Sequence, residues 1–106
     1  MIRAKLYIPQ GISEIIDHLA MMMLYAPTFE HDFFEDQNVD TVFQELNQAL
    51  SLIQKQLGPE RYETLVSLST RMRAAFEADP ENKTGEASQG RRLIEEMQVV
   101  LIGRTL

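Results

Sequence analysis

The densest set of chemically capable side chains lies between Glu30 and Asp36, where Glu30, His31, Asp32, Glu35 and Asp36 are packed together. These are ligand types for zinc and for hard divalent cations, and carboxylates set close together can also exchange protons. The spacing argues against both uses. An EF-hand loop needs alternating oxygen donors, a central glycine and a distal glutamate, and that order is absent. There is no HExxH pair and no Glu with ExxH on facing helices. Acid–base catalysis requires a pocket that perturbs carboxyl pKa values. The sequence offers no Gly-rich phosphate loop, nucleophile elbow or Ser–His–Asp setting to accompany one. His18, beside Leu19 in an apolar run, reads as a structural histidine in preference to a base. The reading is of a protein that is not an enzyme and needs no metal or cofactor.

What remains is charge and apolar contact. Asp40 and Glu45 extend the acidic run, and Phe33 and Phe34 sit inside it. No Lys or Arg occurs between Lys5 and Lys55, so residues 6–54 hold eight acids against none, a formal −8. The remainder holds eight acids and ten bases, +2, which makes the net −6 a property of the first half. Ordinary surfaces intersperse both signs because like charges repel in the folded state. A region of one sign steers and holds partners of the other. Aromatics among carboxylates suit a binding surface with an apolar anchor and a charged rim. Glu30, Asp32, Glu35, Asp36, Asp40 and Glu45 are therefore the candidate charges, and Phe33 and Phe34 the candidate anchors.

The composition closes off other classes. The chain has 106 residues, 44% hydrophobic and 25% charged, which suits one globular domain with a real core. It lacks cysteine, which excludes disulfides, thiolate metal sites and thiol nucleophiles. The acidic balance argues against nucleic-acid binding, which needs clustered cations. MIRAKLYIPQG lacks the apolar core and cleavage site of a signal peptide, and the apolar run from Leu19 to Pro27 falls short of the roughly 20 residues of a membrane span. The expectation is a soluble cytoplasmic protein.

These side chains must be positioned by helices. Residues 2–8 alternate apolar and polar and read as a short extended arm, ended by Pro9 and Gly11. Ser13 is a candidate cap for a helix to about Ala26, with Ile15, Leu19 and Met22 on one face and Pro27 as its stop. Its second half, LAMMMLYA, is apolar all round and should be central or covered. Thr28–Asn38 reads as an irregular connection or as one short turn of helix around Phe33 and Phe34. Asn38 or Asp36 can cap a second helix over 39–57, ended by Gly58, with Pro59 opening a third to about 78. Residues 78–90 are turn-rich, and a fourth helix starts at or after Thr84 and runs to about Ile102. Arg91 and Arg92 are placed to pair with Glu95 and Glu96. The fold class is all-α, a small bundle of about four helices with a short extended N-terminal arm, forming a single domain over 1–106.

A small, acidic, cysteine-free, helical chain without catalytic motifs resembles bacterial toxin-immunity proteins, those of contact-dependent growth inhibition and of colicin systems. The passage KQLGPERYETLVSLSTRMRAAFEADPENKTGEASQGRRLIEEM, residues 55–97, looks similar to the C-terminal halves of small helical immunity proteins. The acidic second-helix region of colicin nuclease immunity proteins offers an analogy for residues 30–45. That family's DxxYYP motif is absent and FFEDQ is a loose echo of it, so no residue is carried over. The resemblance implies a protein that binds and neutralises the C-terminal domain of a cognate toxin, a nuclease being the class whose basic active site an acidic surface would meet. A different class of reading is a regulatory, adaptor or oligomerisation module that uses the Met-rich face of Met21, Met22 and Met23.

Overall fold

The computed structural model describes residues 8–30 and 37–103. Within them the chain forms α1 (Ile12–Tyr25), α2 (Val39–Leu52), α3 (Gln54–Leu57), α4 (Pro59–Ala78) and α5 (Glu86–Ile102). The fold is all-α, four long helices and one added turn. The expected N-terminal arm lies, except for Ile8, outside the described residues; Ile8 itself is half-buried against the core.

The helix ends follow from local chemistry, with two departures from expectation. Gly11, not Ser13, occupies the cap position of α1, with extended backbone and no side-chain cap. Ser13 falls inside the first turn, where Glu14 reaches back to accept from the Gln10 N–H at 3.3 Å. That bond ties the residue before the cap to the first turn, while the N–H groups of the turn itself receive no side-chain cap. The second departure is a break at Ile53 (φ −105°, ψ 16°) inside the expected 39–57 helix. No glycine or proline marks it in the sequence. The break turns residues 54–57 into a separate turn packed on α4, with Ile53 and Leu57 both buried. Asn38 caps α2 in a reciprocal box: Asn38 Oδ1 accepts from the Thr41 N–H at 3.1 Å, and Thr41 Oγ1 accepts from the Asn38 N–H at 2.9 Å. Pro59 opens α4 after Gly58, whose φ of 84° lies in the region glycine tolerates best.

The helices form two layers. α4 and α5 pack along their length, α1 lies on α5, and α2 lies on α4 and α1. The Cα envelope measures 36 × 34 × 17 Å. Its thin dimension suits two helices whose axes stand about 8–10 Å apart. α4 and α5 run antiparallel: Arg61 in the first turns of α4 donates to the carbonyls of Val100 (3.1 Å) and Leu101 (3.2 Å) at the end of α5. Both carbonyls lie in the last turn of α5, where the Gly103 N–H also reaches Val100 O at 3.1 Å, so the cation adds a partner there and meets the negative helix end.

Asp79 makes the other end of this hairpin. It follows α4 and its carboxylate accepts from the backbone N–H of Lys83 (2.7 Å), Thr84 (3.2 Å) and Ala87 (3.0 Å). The Ala87 bond, first among these contacts, holds the carboxyl below its ordinary pKa against the opposing effect of desolvation. Helix α5 has no local side-chain cap, so Asp79 supplies one from across the turn.

The core contains Ile15, Leu19 and Met22 from α1, Phe43 and Leu46 from α2, Met72 and Phe76 from α4, and Ile94 and Met97 from α5, none with exposed surface. The rings of Phe43 and Phe76 both meet Phe29 edge-on, at centroid distances of 5.8 and 5.3 Å. At Gly90, a Cβ would stand 2.5 Å from Phe76 Cε1, so the glycine is what lets α5 lie on this ring. On α4, Val66 is 38% exposed, while Leu65 and Leu68 beside it are buried. His18 is buried, its Nε2 3.3 Å from the Val42 carbonyl, as a structural histidine would be.

Candidate partner-binding surface

The acidic segment starts from a built base. Its N-terminal pillar is Phe29, fully buried and held at φ 63°, a left-handed conformation that side chains other than glycine adopt rarely. Three contacts hold it there. The ring fills the space between Phe43 and Phe76, the Phe29 N–H donates to Tyr25 O at 2.8 Å, and the Phe29 carbonyl accepts from Gln37 Nε2 at 2.7 Å. Gln37 is itself 6% exposed. The clasp between Phe29 and Gln37 therefore closes the base from which residues 30–36 depart. Next to Gln37, the Asn38 cap starts α2, so the far end of the segment is also fixed.

The structure sorts the candidate charges. Glu30 is exposed. His31, Asp32, Phe33, Phe34, Glu35 and Asp36 lie outside the described residues. Asp40, on the first turn of α2, is exposed but paired with Arg73, whose guanidinium also donates from Nε to Glu77 at 3.2 Å and stands 5.8 Å from the Phe43 ring centroid. For Arg73, desolvation opposes the charge, and the hydrogen bonds and attraction of Glu77 and Asp40 outweigh it, raising its pKa. The long cation-free run is thus partly balanced in space by a base from α4. Glu45, a surface charge by its sequence, is in the structure only 1% exposed, because it lies on the same face of α2 as Val42, Leu46 and Ala49. It already interacts within the molecule and presents no carboxylate to a partner.

Two residues of this base escaped the sequence reading. Phe29 lies just beyond the end of α1, outside any helical stripe, and Gln37 carries no charge or periodicity to single it out. Leu24 is a third: it is 77% exposed in the last turn of α1, although LAMMMLYA reads as apolar throughout. Its position opposite Ile15, Leu19 and Met22 on a 3.6-residue period accounts for this. Met22 is core, whereas Met21 and Met23 are partly buried against it. The expected pairing of Arg91 and Arg92 with Glu95 and Glu96 is not formed among the described residues. Arg91 instead donates to the Ala26 carbonyl at 3.0 Å and reaches Asn82 Oδ1 at 3.5 Å, tying α5 to the end of α1.

Among the described residues no group of three or more His, Asp or Glu side chains is arranged to hold a metal ion. No described helix is long and apolar enough to cross a membrane. The chain matches no protein-family model, no curated protein and no solved structure. Its class is set by its own geometry: a two-layer all-α bundle in which Phe29 and Gln37 are clasped together.

Proposed function

We propose that this protein works by binding, as an immunity protein that neutralises the basic nuclease domain of a cognate bacterial toxin. The observation that carries the reading is the segregation of charge, eight acids and no Lys or Arg over residues 6–54. The base formed by Phe29, Gln37 and Asn38 supports it, since it places exposed Glu30 and the start of α2, with Asp40, beside one another on a buried aromatic support. Glu30, Asp32, Glu35 and Asp36 supply charge, Phe33 and Phe34 supply apolar contact, and Asp40 contributes at the edge through its pair with Arg73. The carboxylates meet the cations that would otherwise hold phosphates, which blocks the substrate without chemistry on the inhibitor's side.

The experiment is calorimetry with a basic toxin domain encoded next to this chain, at about 50 mM and about 500 mM salt, since screening falls steeply over that range. Tight binding that weakens with salt, and weakens again when Glu30, Glu35 and Asp36 are changed to Gln, Gln and Asn, supports the reading. Binding indifferent to those changes moves the interface elsewhere on the protein. No binding, or no toxin gene beside this one, removes the reading. An adaptor using the Met-rich face of α1 has less to support it, because Met22 is enclosed and Met21 and Met23 are partly so.

A further inference from the structure

Among the described residues, the outer side of the α4–α5 layer faces no other helix. A groove of about 650 Å³ runs there between the two helices, lined by Leu68 and Arg71 of α4 and by Arg92, Glu96, Val99 and Val100 of α5 among others. A second hollow of about 450 Å³ shares Arg71 and continues along the seam past Ala74 and Leu93. Leu68 and Leu93 form the floor, each 5% exposed. Around the floor the charges are of both signs, and Arg71, Arg92, Glu95 and Glu96 form no ion pair among the described residues.

We infer that this face is an interface for a second copy of the same chain. Two observations choose that occupant. First, an isologous contact requires a surface complementary to itself, and unpaired arginines beside unpaired glutamates on one face meet that requirement. With the two α5 helices antiparallel across a two-fold axis between Arg92 and Glu96, Arg92 of each copy faces Glu96 of the other. Second, each copy carries a net charge of −6, with −8 concentrated in residues 6–54. Like-charged molecules approach at least cost through the side where that excess is missing, and the α4–α5 side is built from the other half of the chain. Helix α4 has 20 residues. Helix α5 has 17, and the two side by side offer a face of roughly 25 × 20 Å, about 500 Å² per partner, which is at the low end of specific interfaces and suits a weak to moderate dimer. The result is two α4–α5 hairpins packed as a four-helix layer. The inference is independent of the proposed toxin target.

The test is sedimentation equilibrium of the full chain from about 1 to about 200 µM, a range that spans weak to moderate dimers, for wild type, Arg92→Glu, Glu96→Arg and the double exchange. Each single reversal should raise the dimer dissociation constant at least about tenfold, equivalent to 1.4 kcal/mol, and the double exchange should recover it. Both side chains are exposed and unpaired within the molecule, so helical circular dichroism should be the same for all four. General charge repulsion predicts otherwise, since Glu96→Arg lowers the net charge and would then tighten association. A wild-type monomer throughout the range overturns the inference. A dimer insensitive to the reversals, or a face that binds only a different protein, overturns it as well.

Discussion

Phe29 shows how one residue can serve the core and the surface together. Its ring is the common partner of Phe43 and Phe76, and its backbone holds a conformation that favours glycine. Truncation to alanine removes the ring and leaves a cavity between two aromatic side chains. Phe29→Ala should lower stability by about 3–5 kcal/mol in denaturant titration, a loss typical of large core truncations. Gly90→Ala sets two effects against each other. Helix propensity favours alanine by about 1 kcal/mol. The added Cβ would meet the Phe76 ring at 2.5 Å, and that ring is wedged against Phe29 and cannot retreat. Overpacking of this kind costs about 1–3 kcal/mol, so the substitution should lower the melting temperature in spite of the propensity gain. Asp79 gives a pH dependence. Its carboxyl is held below the ordinary value in the fold, so the unfolded chain takes up the proton first and acid favours unfolding. The stability it contributes is complete above the ordinary carboxylate range and is lost as pH falls through the lower, folded value. The melting-temperature difference between wild type and Asp79→Asn should therefore be full near neutrality and shrink in acid.

At the level of elements, the start of α2 is where packing and charge meet. The Asn38–Thr41 box satisfies donors at the helix end and fixes where α2 begins relative to Gln37. Asn38→Ala should cost about 1 kcal/mol of stability, the usual loss for a removed cap. Gln37→Ala releases the Phe29 carbonyl, and hydrogen exchange at the Phe29 amide should rise more than exchange within α4. Equal acceleration at both places would show that the clasp has no local role. The bounds of α4 and α5 are legible in the sequence. Pro59 and Gly103 mark hard boundaries, and the apolar residues Ala87, Ile94, Met97 and Leu101 recur on one face. The break at Ile53 has no such mark, because it arises from how residues 54–57 turn onto α4.

For the whole molecule, the consequence of charge segregation is graded by the structure. Asp40 shares its charge with Arg73, while Glu30 is exposed beside the base of the segment. Exposed pairs of this kind contribute only about 0–1 kcal/mol to stability. Their effect on binding is the more useful measurement. With a basic toxin domain, Glu30→Gln should slow association and flatten its salt dependence, and Asp40→Asn should do so less, because it also frees Arg73 and Glu77 to rearrange. Equal effects in stopped-flow mixing would mean that the Arg73 pair opens on binding. Glu45→Gln should leave the association rate unchanged and alter stability alone, since its carboxylate is enclosed.

The sequence by itself determined the helical class, the ends of α4 and the span of α5, and the confinement of the negative charge to one half. Each depends on residues near one another in the chain: apolar period, proline and glycine at ends, and a plain count of signs. Only the tertiary structure decided which charges stay available. Glu45 reads like its acidic neighbours, yet burial is a property of the face α2 turns to the core. Asp40 and Arg73 lie on different helices, and their pairing exists only because α2 packs on α4. Phe29 became the centre of the aromatic cluster for the same reason: three distant segments meet there, and the physics of that meeting is packing, which a single chain order does not carry.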